Sequence, residues 1–322
     1  MPLRFAIISD THFVKPPTEI GGSWWNRTTE KYSTEMGDAL VETMRELSPD
    51  FVIHCGDFTG EKSSDSVEFG LSIMDKIGCP WYGTPGNHDS RSIASRTMFK
   101  DRFNEGENSW SYYRDLGELH FFFLDVAHWL GADGSVSPYF DREKYDSGEI
   151  IGMGPCEEDL AWLERELEAT ETPAIVVTHA PIHFKEAYPL STLPYGVAVK
   201  APITQPKDFI SGFVRLDEGR GRLLDIVRSH RNVVACLAGH WHINDALVEA
   251  EQLFLLTGSL RDYAYDIRLV EYDGTTFDIS THALDLPELR KLSYVEKWGN
   301  EWVRGTDDVR NFTFSLNHRR HT

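Results

Sequence analysis

Short runs of consecutive apolar residues alternate along the chain with longer stretches in which apolar side chains recur every three or four positions. The runs LRFAII (3–8), FVIHC (51–55), AIVVT (174–178) and VVACLA (233–238) are bounded by turn formers and predict buried strands. Met36, Leu40, Met44 and Leu47 stand at helical spacing within 34–47, as do Val67, Leu71, Met74 and Ile77 within 66–77. EEDLAWLERELEA (157–169) predicts a third helix. This alternation predicts an α/β sheet with its helices outside. SYYRDL and LHFFFLD (within 111–125) predict paired strands, and 243–281 holds several short strand candidates. Together these predict a second, largely antiparallel sheet. Two stretches read as insertions: 129–155, rich in Gly, Ser and Asp, and 180–218, with Pro181, Pro189, Pro194, Pro202 and Pro206. Loops of this length often serve as lids or specificity walls.

The 322 residues suffice for a substantial core, and 41% apolar with 26% charged residues is ordinary for a globular protein. Fifty-one acidic against 32 basic residues give a formal charge of −19, which disfavours a nucleic-acid polymer or an anionic membrane surface as partner. Anionic substrates stay possible, because a bound cation reverses the local field. Cys55, Cys79, Cys156 and Cys236 are widely spaced without a CxxC pair, and predict reduced thiols rather than a disulfide scaffold. The opening MPLRFAIISD lacks the apolar region of a signal peptide, and no run approaches a membrane span, so a soluble, cytoplasmic protein is expected.

The strand-like runs end in metal-type ligands. Asp10 and His12 follow the first, Asp57 the second, Asn87-His88-Asp89 the next, His179 the fourth, and His240 and His242 the last. Ligands at the carboxyl ends of strands in an open α/β sheet converge on one crevice. On an extended segment the outer two residues of D-x-H and H-x-H also point the same way.

D-x-H, G-D, G-N-H-D, a lone His and G-H-x-H, in this order over residues 5–245, resemble the calcineurin-like binuclear metallophosphoesterases. ISDTHF and PGNHDS look most similar to the cyclic-nucleotide and glycerophosphodiester phosphodiesterase branch. The resemblance implies a four-layer α-β-β-α sandwich: two mixed β-sheets packed face to face between helices. The domain would span 1–285, with 286–322 as a C-terminal extension. One metal would take Asp10, His12, Asp57 and His242, and the other Asp57, Asn87, His179 and His240, with Asp57 bridging. The metals would be Mn, Fe or Zn, which suit a nitrogen and oxygen site. They would stand roughly 3.5–4 Å apart, acidify a water for attack and clamp the phosphoryl group. His88 would serve as catalytic donor to the phosphate or the leaving oxygen, with Asp89 holding its ring. Asn87 would ligate without adding negative charge, leaving the centre positive enough to attract an anionic ester.

The implied activity is hydrolysis of small-molecule phosphodiesters such as cyclic nucleotides or glycerophosphodiesters. The alternatives are a phosphomonoesterase or nucleotide pyrophosphatase on the same site, or a non-catalytic scaffold that keeps the fold. His54 and His120 read as structural, while His128, His183, Arg261 and Tyr263 are candidates for the pocket edge. Trp24 and Trp25 would either pack or stack on a nucleobase. The terminal NHRRHT is expected to be a tail or a contact in a homo-oligomer.

Overall fold

Two six-stranded mixed sheets carry the architecture, the first parallel over one half and the second parallel through its centre. The structure, a computed structural model, describes residues 2–17, 29–60, 62–104, 110–183, 217–294 and 303–316. In the first sheet β1 (Leu3–Ile8) pairs in parallel with β2 (Phe51–His54), and β2 with β3 (Trp81–Gly83). On its other side β1 pairs antiparallel with β13 (Asp266–Tyr272), which continues through β14 (Thr276–Ala283) to β15 (Phe312–Ser315). Part of the expected C-terminal extension thus supplies an edge strand.

The second sheet runs β11 (Asp245–Glu249), β12 (Gln252–Leu256), β10 (Val233–Ala238), β9 (Ala174–Val177), β5 (Leu119–Phe123), β4 (Tyr112–Leu116). Here the expected division of strands is corrected. The runs at 174–178 and 233–238 lie in the second sheet, where β5, β9, β10 and β12 are parallel. The 243–281 strands are shared between both sheets. The reason is burial: a strand covered on both faces is apolar throughout, so these runs say that a strand is central without saying in which sheet.

Period-two alternation in the second sheet shows what covers each face. Phe121, Phe123, Ile175, Val177, Leu253 and Leu255 face the first sheet, and Phe121 meets Phe5 and Phe51 edge-on at 5.4 and 5.5 Å. Their neighbours Phe122, Val176, Phe254 and Leu256 face outward, against α5 (Glu157–Glu168) and α6 (Asp217–Ser229). The outer face of the first sheet is covered by α1 (Ser33–Leu47), through Met36, Leu40 and Met44, by α2 (Ser64–Met74), and by α3 (Ile93–Phe103), through Phe99 and Phe103. The four-layer sandwich is therefore present, and each predicted helix falls within a few residues of its place.

The 129–155 insertion is not an open loop. It forms a three-stranded sheet, β7 (Val136–Ser137), β6 (His128–Gly131) and β8 (Ile150–Gly154), with α4 (Arg142–Ser147) before β8. This sheet docks where the G-N-H-D segment ends: the Trp129 indole N–H donates to Ser90 Oγ at 3.1 Å, and the Phe140 N–H to the Ser90 carbonyl at 3.0 Å. Most of the 180–218 insertion, Trp24, Trp25 and NHRRHT lie outside the described residues.

Candidate metal centre

Each of the seven expected ligands sits just beyond the carboxyl end of a parallel strand. Asp10 and His12 follow β1, Asp57 follows β2, Asn87 follows β3, His179 follows β9, and His240 and His242 follow β10. Both sheets contribute, and hydrogen bonds join them at this edge. The His240 N–H donates to Asp10 Oδ2 at 2.9 Å, and the His179 ring Nδ1 lies 2.7 Å from the Cys55 carbonyl.

The backbone that presents these side chains is not extended, contrary to the alternation argument. Asp10, His12, Asp57, His240 and His242 all have left-handed backbone, with φ of 53°, 43°, 55°, 71° and 57°. Such conformations cost a non-glycine residue on the order of 1–3 kcal/mol and persist where the surroundings over-determine them. Two glycines make the close approach possible. A Cβ on Gly86 would run into the Asp57 carboxylate and backbone nitrogen, and one on Gly239 into Ser9 Oγ and Asp10 Oδ2. The glycines of G-N-H-D and G-H-x-H are thus required for space.

The side chains gather into two groups. In one, Asp10 Oδ1 lies 3.2 Å from His242 Nε2 and 3.7 Å from His12 Nε2, which is 3.5 Å from Asp57 Oδ2. In the other, His179 Nε2 lies 3.4 Å from Asp57 Oδ1, 3.2 Å from Asn87 Oδ1 and 3.1 Å from His240 Nδ1. Asp57 stands between them with one oxygen on each side. The donor chemistry fits metal ions. The Cys55 carbonyl can only accept, so His179 carries a proton on Nδ1 and turns Nε2 toward three other lone-pair atoms. One proton on Nε2 can serve one of those neighbours at a time; a cation serves all four atoms. Asp10 Oδ1 and both ring nitrogens of His12 are buried without a hydrogen-bond partner, while Asp10 Oδ2 accepts from Ser9 Oγ and His240 N–H. Unpaired buried acceptors of this kind are costly unless an ion binds them.

The electrostatics point the same way. Burial opposes a charged His179, but the carboxylates of Asp57 and Asp10 outweigh it and lift the ring to about 9. His242 rises to about 10 against burial, through Asp262 and Asp10. Burial pushes His12 and His240 down to about 3, helped by Arg261 in the first case and His179 in the second. Burial would raise Asp10 and Asp57, yet the surrounding imidazoles hold both well below the usual carboxylate range. The pocket thus demands positive charge, and protons and metal compete for the same nitrogens.

Among the expected catalytic pair, His88 is half-buried at the group's edge. Its backbone N–H donates to Asp57 Oδ1 at 2.7 Å and its ring meets His12 edge-on at 4.6 Å. Burial pushes this imidazole well below its ordinary value despite Asp57, with His12, Arg91 and Arg261 adding to the effect. Asp89 is a correction. Its carboxylate does not hold the His88 ring; it accepts from the backbone N–H groups of Phe58, Thr59 and Gly86 at 3.0, 3.0 and 2.9 Å, and from Thr59 Oγ1 at 3.3 Å. The 3-10 turn at Asp89–Arg91 sends this side chain beneath the loop rather than toward its neighbour. It fastens the segment that carries Asp57 to the one that carries Asn87.

Sequence reasoning missed two buried partners. Asp262 Oδ2 lies 2.6 Å from His242 Nδ1, which leaves Nε2 to face Asp10. Arg261, expected at the pocket edge, pairs at 2.6 Å with the unexpected Glu30 and is close enough to act on His12 and His88. An acid after L-R, twenty residues past His242, offers no motif by which to find it. Of the remaining histidines, His54 is structural as read: its Nδ1 accepts from the Gly56 N–H, and Nε2 lies 3.0 Å from Thr11 Oγ1. His120 pairs with Asp115 and His183 with Glu249, away from the ligands, and His128 joins a separate cluster with Asp159.

Known proteins share the fold that carries these residues. A curated relative, a probable glycerophosphodiester phosphodiesterase of Arcobacter nitrofigilis, is 24% identical over 195 residues, 60% of this chain; the chain spans 57% of that relative's length. A dimetal phosphatase from Danio rerio superposes with a TM-score of 0.64 at 15% identity, covering 98% of this chain and 100% of the other. The purple acid phosphatase PPD1 of yellow lupin gives 0.56 at 13% identity, covering 98% of this chain and 54% of its own. These likenesses show a shared fold. The profile of the calcineurin-like phosphoesterases matches residues 3–244, well over half the chain, and this protein belongs to that family.

Proposed function

We propose that this chain is a binuclear metal-dependent phosphodiesterase acting on a small-molecule substrate. Asp10, His12, Asp57 and His242 hold one metal, and Asp57, Asn87, His179 and His240 hold the other. The observation that carries this reading is the pair of lone-pair clusters joined through the two oxygens of Asp57. Two such ions, when bound, supply Lewis acidity and acidify water near neutral pH. Mn, Fe and Zn all suit the donors.

The chain's own residues do the rest. Asn87 ligates without charge, so the site keeps the positive field that draws in an anionic ester. Asp89 fixes the two loops whose side chains must meet. His88, at the open edge, donates to the phosphoryl group or the leaving oxygen. The Arg261–Glu30 pair brings a guanidinium near His12 and His88 and favours their neutral forms. The curated relative's description as a glycerophosphodiester phosphodiesterase supports the diester over the monoester. Four free cysteines fit a reducing, cytoplasmic setting. No helix among the described residues is long and apolar enough to cross a membrane.

The test is hydrolysis of bis-p-nitrophenyl phosphate against p-nitrophenyl phosphate, with Mn²⁺ supplied and then chelated. The proposal expects faster turnover of the diester, abolished by chelation and restored by metal. Preference for the monoester moves the reading to a phosphomonoesterase. No activity on either, from a chain that binds two metals, favours the scaffold.

A further inference from the structure

A second cluster of ligand-type side chains lies at the neck of the 129–155 insertion and shares no residue with the dinuclear set. His128 opens β6, Cys156 is the N-cap of α5, and Asp159 stands in the first turn of that helix. One ring nitrogen of His128, the Cys156 sulfur and a carboxylate oxygen of Asp159 lie within 4.8 Å of one another. His128 Nδ1 is 3.8 Å from Asp159 Oδ2, and Cys156 Sγ is 3.1 Å from the same oxygen. Metal–ligand bonds of about 2.0–2.3 Å at tetrahedral angles put ligand atoms about 3.3–3.8 Å apart, so small side-chain adjustments close the site.

Burial and charge separate this cluster from an ordinary polar patch. His128 is 4% exposed, and its Nδ1, aimed into the cluster, has no hydrogen-bond partner. Asp125, 3.9 Å from that nitrogen, is already committed: Arg96 donates to Oδ2 at 2.5 Å and the Ala127 N–H to Oδ1 at 2.8 Å. Arg96 thus answers Asp125, while Asp159, also buried, accepts from Ser111 and the Cys156 thiol and lies beside His128. We propose that His128, Cys156 and Asp159 form a separate site for one borderline-soft divalent cation of the zinc type. Sulfur, imidazole and carboxylate together select such an ion over Mg²⁺ or Ca²⁺. Its bound thiolate and carboxylate would balance the cation's two charges. Because His128 pairs with Gly154 across β6 and β8, the ion would staple the base of the sheet that reaches Ser90 to the start of α5.

The dinuclear donors are nitrogen and oxygen only, so a sulfur-specific signal isolates the new site. The full-length protein is titrated with Co²⁺ while thiolate-to-cobalt charge-transfer absorption and bound metal are followed. The expected result is a charge-transfer band that accompanies one equivalent beyond the dinuclear pair. Cys156→Ser should lose the band and that equivalent; serine is a strong N-cap, so α5 keeps its start. His240→Ala, which removes a dinuclear ligand, should keep the band even if the phosphoesterase reading fails. No band in the wild type, or a band that survives in Cys156→Ser or vanishes in His240→Ala, overturns the proposal.

Discussion

Removing Asp262 tests whether the centre depends on a residue that touches neither the reaction nor the metal. Its Oδ2 holds His242 Nδ1 at 2.6 Å, and Asp262 is fully buried. The contact keeps a proton on Nδ1, so Nε2, 3.2 Å from Asp10 Oδ1, is the nitrogen left to ligate a metal once it gives up its own proton. In Asp262→Ala the Nδ1 proton loses its acceptor, and the tautomer with Nε2 protonated, which cannot ligate, becomes competitive. A charge-assisted hydrogen bond contributes about 1.5–3 kcal/mol, and each 1.36 kcal/mol is tenfold. Partners of ligating histidines typically account for about 10–100-fold in metal affinity, so the two routes agree on roughly 2 kcal/mol. Competition against a fluorescent chelator should show one of the two equivalents weakened by about 10–100-fold, the one held with His242, while the Asn87/His179/His240 equivalent stays within a few-fold. Asp262→Asn, which keeps an acceptor but not the charge, should fall between. The reasoning fails if both equivalents keep wild-type affinity in Asp262→Ala, or if both weaken equally in a protein whose melting temperature is unchanged.

Four further substitutions probe other parts of the site. Asn87→Asp should retain metal yet lower turnover, because it adds a negative charge beside Asp57; undiminished activity across pH refutes the charge argument. His88→Ala should keep both metals and lose up to about 10²–10⁴-fold on an alkyl diester, with a milder loss on a p-nitrophenyl diester, whose leaving group needs no proton. Equal losses on the two substrates would assign His88 to phosphate positioning instead. Gly239→Ala should lower both the melting temperature and metal content, since its Cβ would displace Ser9 and Asp10; wild-type values for both would show that the loop yields. Asp89→Asn should turn an amide N–H₂ toward some of the donors its carboxylate now satisfies, and so weaken metal binding as well as turnover. Lost turnover with intact metal affinity would restore Asp89 to a direct role beside His88.

The candidate ligands were legible because metal chemistry limits the residue types and strand ends limit where they occur. Asp10, His12, Asp57, His179, His240 and His242 all close apolar runs, and burial on both faces makes such runs conspicuous. The same property hid the topology. β9 and β10 read like β1 and β2, so nothing in AIVV or VVACLA distinguishes one sheet from the other. Asp89 was misread because adjacency along the chain is not adjacency of side chains: one 3-10 turn takes it from His88 to the amides of Phe58 and Thr59.

Asp262 and Glu30 were invisible for a different reason. Their partners lie twenty residues away at His242, beyond the neighbouring strand of the same sheet, and 231 away at Arg261, pairings set only by the assembled fold. The left-handed backbone at five candidate ligands belongs to the same class of information. Asp and His tolerate this region better than most residues, but that leaning does not place five of them there; the loops are bent by what they must bring together. Gly56, Gly86 and Gly239 connect the two levels, because the motif glycines stand where the bent loops touch: Gly56 against the His179 ring, Gly86 against Asp57, and Gly239 against Asp10. A pattern such as G-N-H-D therefore records a packing constraint along with a ligand, and its glycine predicts how closely the next strand's ligand approaches.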